Sequence, residues 1–222
     1  KGRARRQTDD PAGLRLQTVH AYDARDNVLS ITSPGGTRTE YLYDSLGRRI
    51  RERVDPSGLN LERSWTYDAA GNVIASTDAR GQVTRYAHDA AGRLVFTVDP
   101  AGAVRRNSYD AAGRIVGTVA YATRVDPSLL PAAVTIEQVA APIGAQPGQD
   151  QVEHRVLDGD GRLLATVDGI GAVVRFTYDT RGLLVERTAY AQAIDLASWA
   201  PGTVPVVQAD PARDARTTIV RD

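Results

Sequence analysis

The sequence predicts an all-β fold of tandem antiparallel β-hairpin repeats forming a curved, spiral sheet, and three observations predict it. A Tyr-Asp-x-x-Gly unit recurs as Tyr43-Asp44-Ser45-Leu46-Gly47, Tyr67-Asp68-Ala69-Ala70-Gly71, Tyr109-Asp110-Ala111-Ala112-Gly113 and Tyr178-Asp179-Thr180-Arg181-Gly182, with Arg or Asn next in three of the four. Degenerate copies begin at Tyr22, at His88 (with Asp89 and Gly92) and at Leu157. Starts at 22, 43, 67, 88 and 109 lie 21, 24, 21 and 21 residues apart, and 157 to 178 is again 21, a fixed period that marks a repeat architecture. The second observation is a punctuation between units: Asp10-Pro11-Ala12-Gly13, Ser33-Pro34-Gly35-Gly36, Asp55-Pro56-Ser57-Gly58, Asp78-Ala79-Arg80-Gly81, Asp99-Pro100-Ala101-Gly102 and Asp168-Gly169-Ile170-Gly171. Asp at the first position bonds the backbone ahead of it, Pro presets φ, and Gly supplies the positive φ that closes the turn. The third is that the legs between turns, such as Leu94-Val95-Phe96-Thr97-Val98 and Ile115-Val116-Gly117-Thr118-Val119, are rich in the branched side chains that strands favour.

Taken in order, residues 1–121 read as a first repeat array, 122–151 as an insertion, 152–190 as further repeats, 191–215 as a second insertion and 216–222 as the start of a truncated repeat. The second legs run ten residues from turn to tyrosine (Asp99 to Tyr109) or twelve (Asp55 to Tyr67), a difference that keeps every side chain on its own face. His20, Tyr41, Trp65, Tyr86 and Phe176 precede a repeat slot by two and so share its face; stacked in register, these rings are expected to form ladders across neighbouring strands. Pro147, Asp150, Val156 and Asp158 recur 64 positions later as Pro211, Asp214, Val220 and Asp222, so the insertions resemble each other. Ala132 to Ala141 is expected to hold a short helix, and Leu196 to Ala200 a single helical turn. Asp222 then reads as the aspartate of another unit with Arg221 in the tyrosine slot, and the chain as a piece of a longer array.

Composition narrows the function. Twenty-seven basic and 27 acidic residues cancel, so no global field favours nucleic acid. Without cysteine there is no disulfide or thiolate metal site, and no apolar run is long enough to span a bilayer. The basic start, Lys1, Arg3, Arg5 and Arg6, reads as a solvated face. His20, His88 and His154 are scattered, and two occupy aromatic slots, which favours packing over a zinc site. Aspartates that recur at every turn are explained by turn chemistry rather than by paired acid catalysis. Asp158-Gly159-Asp160-Gly161 lacks the distal ligands of a calcium loop, and Gly169-Ile170-Gly171 lacks the spacing of a phosphate loop. Neither a catalytic residue, a cofactor site nor a metal site is expected.

The Tyr-Asp-x-x-Gly-Arg units with Asp-Pro-x-Gly turns between them resemble the YD repeats of the RHS family over nearly the whole chain. The structural repeat residues carried by that resemblance are Tyr22, Tyr43, Asp44, Gly47, Tyr67, Asp68, Gly71, His88, Asp89, Gly92, Tyr109, Asp110, Gly113, Tyr178, Asp179 and Gly182. The sequence departs from the pattern at Asp26, in place of a glycine, and at His88 and Leu157, in place of tyrosine. The resemblance implies a non-enzymatic scaffold, part of a β-shell that encloses a C-terminal toxin or effector domain of a large secreted or cell-surface bacterial protein. Its partners would be the neighbouring repeats and that enclosed domain, and the alternative is a surface module that binds a glycan or a receptor. Family shells end in a self-cleaving Asp-Pro-x-Gly-Leu element. Asp55-Pro56-Ser57-Gly58-Leu59 has those letters, but repeats continue after it and Asp10 to Leu14 matches it, so it reads as an inter-strand turn that is not cleaved.

Overall fold

The computed structural model describes residues 3–9 and 16–219; the turn expected at Asp10 to Gly13 and the slot expected at Arg221 lie outside the described residues. The chain divides into two compact units, Lys1–Tyr86 and Ala87–Asp222. In the first, β1 (Arg3–Asp9), β2 (Leu16–Tyr22), β3 (Val28–Thr32), β4 (Arg38–Tyr43), β5 (Arg49–Val54), β6 (Leu61–Tyr67), β7 (Val73–Thr77) and β8 (Val83–His88) pair antiparallel in chain order. The chain leaves this unit within β8. In the second, β9 (Leu94–Val98), β10 (Val104–Tyr109), β11 (Ile115–Ala120), β12 (Gln151–Leu157), β13 (Leu163–Asp168), β14 (Val173–Tyr178), β15 (Leu184–Ala189) and β16 (Ala215–Thr218) do the same. The fold is therefore all-β and antiparallel.

The hairpin that is 24 residues long extends its ladder without inverting it. β5, the turn and β6 each gain one residue, which adds the pair Val54↔Leu61 beyond Arg53↔Glu62. The equivalent of Arg53↔Glu62 in a 21-residue hairpin is the last pair, Val98↔Val104. Alternation fixes each residue's face from there.

A regular bulge follows every tyrosine turn whose pairing lies within a unit. The register slips between Ala21 and Tyr22, Leu42 and Tyr43, Thr66 and Tyr67, Ser108 and Tyr109, Val156 and Leu157, and Thr177 and Tyr178. The extra residues are Leu29, Ile50, Ile74, Val116, Leu164 and Val185, always the seventh after the slot and always a branched aliphatic. Each bulge adds local twist at a fixed place in the repeat.

The two sheet faces differ in kind. Slot residues share one face. On the opposite face of the second unit, Ala87, Phe96, Val98 and Val104 form a core with Val125, Val134 and Val139 of the first insertion. Val156, Ala165, Val167 and Val173 are buried on the same face. Each fully buried valine contributes about 1.5 to 3 kcal/mol. In the first unit, where no insertion intervenes, the places of Val98 and Val104 are more polar: Arg53 and Glu62 occupy them in one hairpin and pair at 2.6 Å, Thr32 and Arg38 in another, with Arg38 pairing to Glu40 at 3.0 Å, and Thr77 and Val83 in a third.

The expected helix is shorter than Ala132 to Ala141. α1 spans Ile136–Ala140, because Thr135 stops extended backbone with a capping box: its hydroxyl accepts from Gln138 N–H while Gln138 returns a bond to the Thr135 N–H. Pro127–Leu129 form a 3-10 turn capped by Asp126. Leu196 to Ala200 is a correction to the sequence reading. Residues 196–198 make only a turn, with Asp195 Oδ1 accepting from Ala197 N–H.

Two insertion segments, at Val125 and Ile194, run so close to the sheet that a side chain cannot fit beneath them. A Cβ on Gly102 (φ +81°) would stand 1.9 Å from the Val125 carbonyl oxygen, whereas one on Gly36 (φ +86°) meets nothing within 4 Å. Gly36→Ala should cost about 1 to 2 kcal/mol from the left-handed backbone alone. Gly102→Ala, with the same backbone strain and a clash, should cost on the order of 3 kcal/mol or more. Urea denaturation of the two variants checks this, and equal losses would remove the close approach as a determinant.

Candidate functional site

Both ends of the 21-residue hairpins share one backbone geometry, with aspartate in the first place everywhere except at Ser33. At the tyrosine end, Asp44 N–H donates to the Arg48 carbonyl at 2.9 Å and Gly47 N–H to the Asp44 carbonyl at 3.1 Å, while Asp44 Oδ1 accepts from Leu46 N–H and Arg48 N–H, both at 2.9 Å. At the other end, Asp99 N–H reaches Ala103 at 2.9 Å, Gly102 N–H reaches Asp99 at 3.0 Å, and Asp99 Oδ1 accepts from Ala101 and Ala103. The aspartate replaces a missing turn of backbone bonding, and the glycine takes positive φ. Asp26 holds the glycine position of the first unit at φ 65°. The ends differ in the fifth residue, which is Arg or Asn after most slots but Thr37, Gln82, Ala103 or Ala172 at the other turns.

Where that residue is arginine, it fastens one hairpin to the next. Arg48 Nε donates to its own turn's Asp44 Oδ2 at 2.7 Å, and its Nη1 donates to the carbonyl of Asp68, in the next turn, at 2.9 Å. Its guanidinium lies 4.7 Å from the centre of the Tyr67 ring, and the Tyr67 hydroxyl donates to the carbonyl of Arg49 at 2.7 Å. The same closed arrangement joins Arg93 to Asp89, Asp110 and Tyr109, whose hydroxyl reaches Leu94 O at 2.7 Å. Arg162 pairs with Asp158 at 2.6 Å and lies 5.6 Å over Tyr178, whose hydroxyl reaches Leu163 O at 3.0 Å. Arg114 bonds Asp110 and the Asp158 carbonyl, but Leu157 offers it no ring.

Where the fifth residue is asparagine, the side chain serves only its own turn: Asn27 Nδ2 donates to Asp23 and Asn72 Nδ2 to Asp68, each at 2.9 Å. Arg25 instead reaches the Ser45 carbonyl of the following turn at 2.6 Å. Burial raises the Tyr43 phenol pKa. His88 is too short to repeat the tyrosine's hydroxyl bond, and its Nδ1 is buried without a hydrogen-bond partner.

The aromatic ladder expected from sequence is therefore corrected. Described rings of successive repeats do not stack on one another; a guanidinium covers the ring instead. Arg49 lies 5.5 Å over Tyr41 and 4.8 Å over Trp65, and Arg5 lies 5.6 Å over Tyr22. Of the described ring pairs, His20 and Tyr22 stack within one strand, and His154 meets Trp199 edge-on at 5.4 Å. Arg48, Arg93, Arg114 and Arg162 fall outside the structural residues expected from the repeat motif. Their signal was the Arg or Asn that closes the repeated motif.

The turn carboxyls are committed to holding charge. Backbone N–H donation by Arg48, Arg93 and Arg114 does most to lower the pKa of Asp44, Asp89 and Asp110, and side-chain donation by Asn27, Asn72 and Arg162 does most for Asp23, Asp68 and Asp158. A carboxyl held ionised is a poor general acid. Asp55 makes a different turn from its neighbours: at φ 51° it accepts Gly58 and Asn60 N–H on its carbonyl and Leu59 N–H on Oδ2 at 2.9 Å. It joins β5 to β6. Among the described residues no group of three or more His, Asp or Glu is placed to hold a metal ion, and no helix is long and apolar enough to cross a membrane.

The model of the RHS Repeat family matches residues 22–59, 67–104 and 158–192. No curated protein matches the chain. Two similar solved structures are a crystal structure of TcdB2-TccC3 without its hypervariable C-terminal region (TM-score 0.58, 17% identity) and one of TcdB2-TccC3-TEV (TM-score 0.57, 18% identity). Each alignment covers 85% of this chain and 10% of the other, so the chain spans about a tenth of the solved chains it matches. At that identity the likeness bears on the fold alone.

Two tests follow from the geometry. Arg48→Ala should destabilise by about 1 to 2 kcal/mol, the sum of a partly desolvated cation–π contact and a bridging hydrogen bond, and Arg48→Lys should recover less than half, since an ammonium cannot bridge two acceptors while lying flat on a ring. Denaturation with and without Tyr67→Phe measures it. The second is acid stability. The turn aspartates ionise below their ordinary value of 3.8 when folded, so their contribution is complete above that pH and is lost as pH falls through the lowered values. Burial also lowers His154 from 6.5, so a smaller loss should begin below 6.5 and vanish in His154→Phe. Thermal midpoints against pH record both.

Proposed function

The chain belongs to the RHS-repeat family, and from that premise we propose that it is a stretch of wall in a shell enclosing a C-terminal toxin or effector segment of a large secreted bacterial protein. The repeats themselves are a structural scaffold. The observation that carries the proposal is where the conspicuous side chains are spent: Arg48, Arg93 and Arg162 bond their own turn and cover a ring of the next repeat. Chemistry that a cleft would direct at a ligand is directed here at the neighbouring hairpin. Such an array pairs backbone groups laterally for as long as hairpins are added, as a barrier requires.

The likeness in fold to TcdB2-TccC3 structures supports the same reading. A glycan-binding role for the ring face would need exposed ring faces to stack on sugar, and guanidinium groups already lie over Tyr41, Trp65, Tyr67, Tyr109 and Tyr178.

Limited proteolysis of the parent protein, followed by mass spectrometry, tests enclosure. A discrete C-terminal fragment should survive trimming of the repeats and leave them only on denaturation. A parent that retains no fragment would overturn the container reading and leave the scaffold with another cargo or none.

A further inference from the structure

Both insertions of the second unit are tied down at the same points. Tyr121 N–H donates to the Val104 carbonyl and Tyr190 N–H to the Val173 carbonyl, both at 3.0 Å. Four residues on, Val125 N–H donates to Gly102 O and Ile194 N–H to Gly171 O, both at 2.9 Å. Gly171, like Gly102, has no room for a Cβ, which would stand 2.3 Å from the Ile194 carbonyl oxygen. A capped turn follows in each, at Asp126 and at Asp195.

The far ends meet the near ends through one carboxylate. Asp150 Oδ1 accepts from Ala122 N–H and its Oδ2 from Gln146 N–H, both at 2.8 Å. Asp214 accepts from Ala191 and Asp210 N–H in the same way, also at 2.8 Å. Each aspartate thus closes the neck of its insertion. The strands β12 and β16 then return to the sheet one residue later.

Between these pins the insertions diverge. The second is five residues shorter between the tyrosine and the closing aspartate, 24 against 29. The first carries α1, whose Val139 is fully buried; the second carries no helix and buries Pro205 instead. The sheet floor differs at two matching positions, where Ala87 and Phe96 under the first correspond to Val156 and Ala165, 69 residues on, and Val156 and Ala165 pair across β12 and β13. Val98 and Val104 correspond to Val167 and Val173, all four buried.

We infer that the two insertions are one exchangeable cap, held by a fixed set of pins and an aspartate clasp, whose interior varies freely provided that a pair of floor residues varies with it. Asp150 and Asp214 are positioning residues for the cap, and the pair Ala87 and Phe96, or Val156 and Ala165, selects which interior fits. Constant pins with a variable interior let the surface carried by the cap change while the sheet below keeps its register.

Cap exchange in the full chain tests this. Residues 123–149 are replaced by 192–213, with and without the paired changes Ala87→Val and Phe96→Ala, and amide hydrogen exchange of β9 to β12 is followed. The exchange combined with both floor changes should keep those strands within about threefold of the parent's rates, while exchange alone should leave them clearly faster because the ring fills space the shorter cap needs. Strands that lose protection equally in both chains would overturn the proposal. Asp150→Ala in the unexchanged chain is the independent arm: Ala122 and Gln146 amides should exchange at least tenfold faster with β10 unaffected, and unchanged rates would remove the clasp.

Discussion

At Arg48 and at Arg93 one hairpin is held to the next by a guanidinium that satisfies three demands at once. It neutralises the carboxylate that shapes its own turn, bonds a carbonyl of the following turn, and lies over the following tyrosine. Arginine is suited to this because its planar fork donates in fixed directions while its face remains free for a ring. The tyrosine closes the circuit by returning its hydroxyl to the backbone next to that arginine. Backbone pairing holds strands side by side in any sheet; this side-chain circuit fixes one repeat against the next at the turn.

The aspartate underneath serves two parts of that circuit. Oδ1 organises the turn's N–H groups and Oδ2 holds the arginine. An ionised carboxyl is the better acceptor in both roles, which is why hydrogen bonding lowers its pKa. Turn and junction are consequently coupled: a change that frees the carboxyl loosens the arginine as well. The turns at the opposite end of the hairpin have the same aspartate geometry with Gln82, Ala103 or Ala172 fifth, so they shape a turn without this side-chain junction.

Much of this was legible in the sequence, and the limits have physical causes. Turn chemistry is local, so the spacing of Asp and Gly located the hairpins, and the strand limits at Leu94–Val98 coincide with the expected leg. What joins one turn to the next is separated by about a repeat, and a motif letter does not reveal where a flexible guanidinium will settle. Tyrosines recurring on one face invited a stacked ladder, yet a cation over a ring such as Tyr67 or Tyr109 uses the same surface more favourably when a carbonyl acceptor lies within reach. The bulges left a faint trace, an aliphatic residue seven after each slot, that does not differ from an ordinary strand residue. Leu196 to Ala200 lacks the capping box that starts α1 at Thr135, and a single unsupported turn does not propagate into helix.

The bulge has a bearing on how such a chain can lengthen. Because the slip recurs once per tyrosine turn, a hairpin's two legs are matched only as a unit, and the gain or loss of a single residue in either leg would move the rest of that strand to the wrong face. A gain or loss of 21 residues restores every pairing. At the level of the gene, a whole repeat of 21 codons is one tolerated step, the step that misaligned recombination between similar repeats supplies. Arrays of this kind can therefore change length through copying errors that would ruin most folded domains.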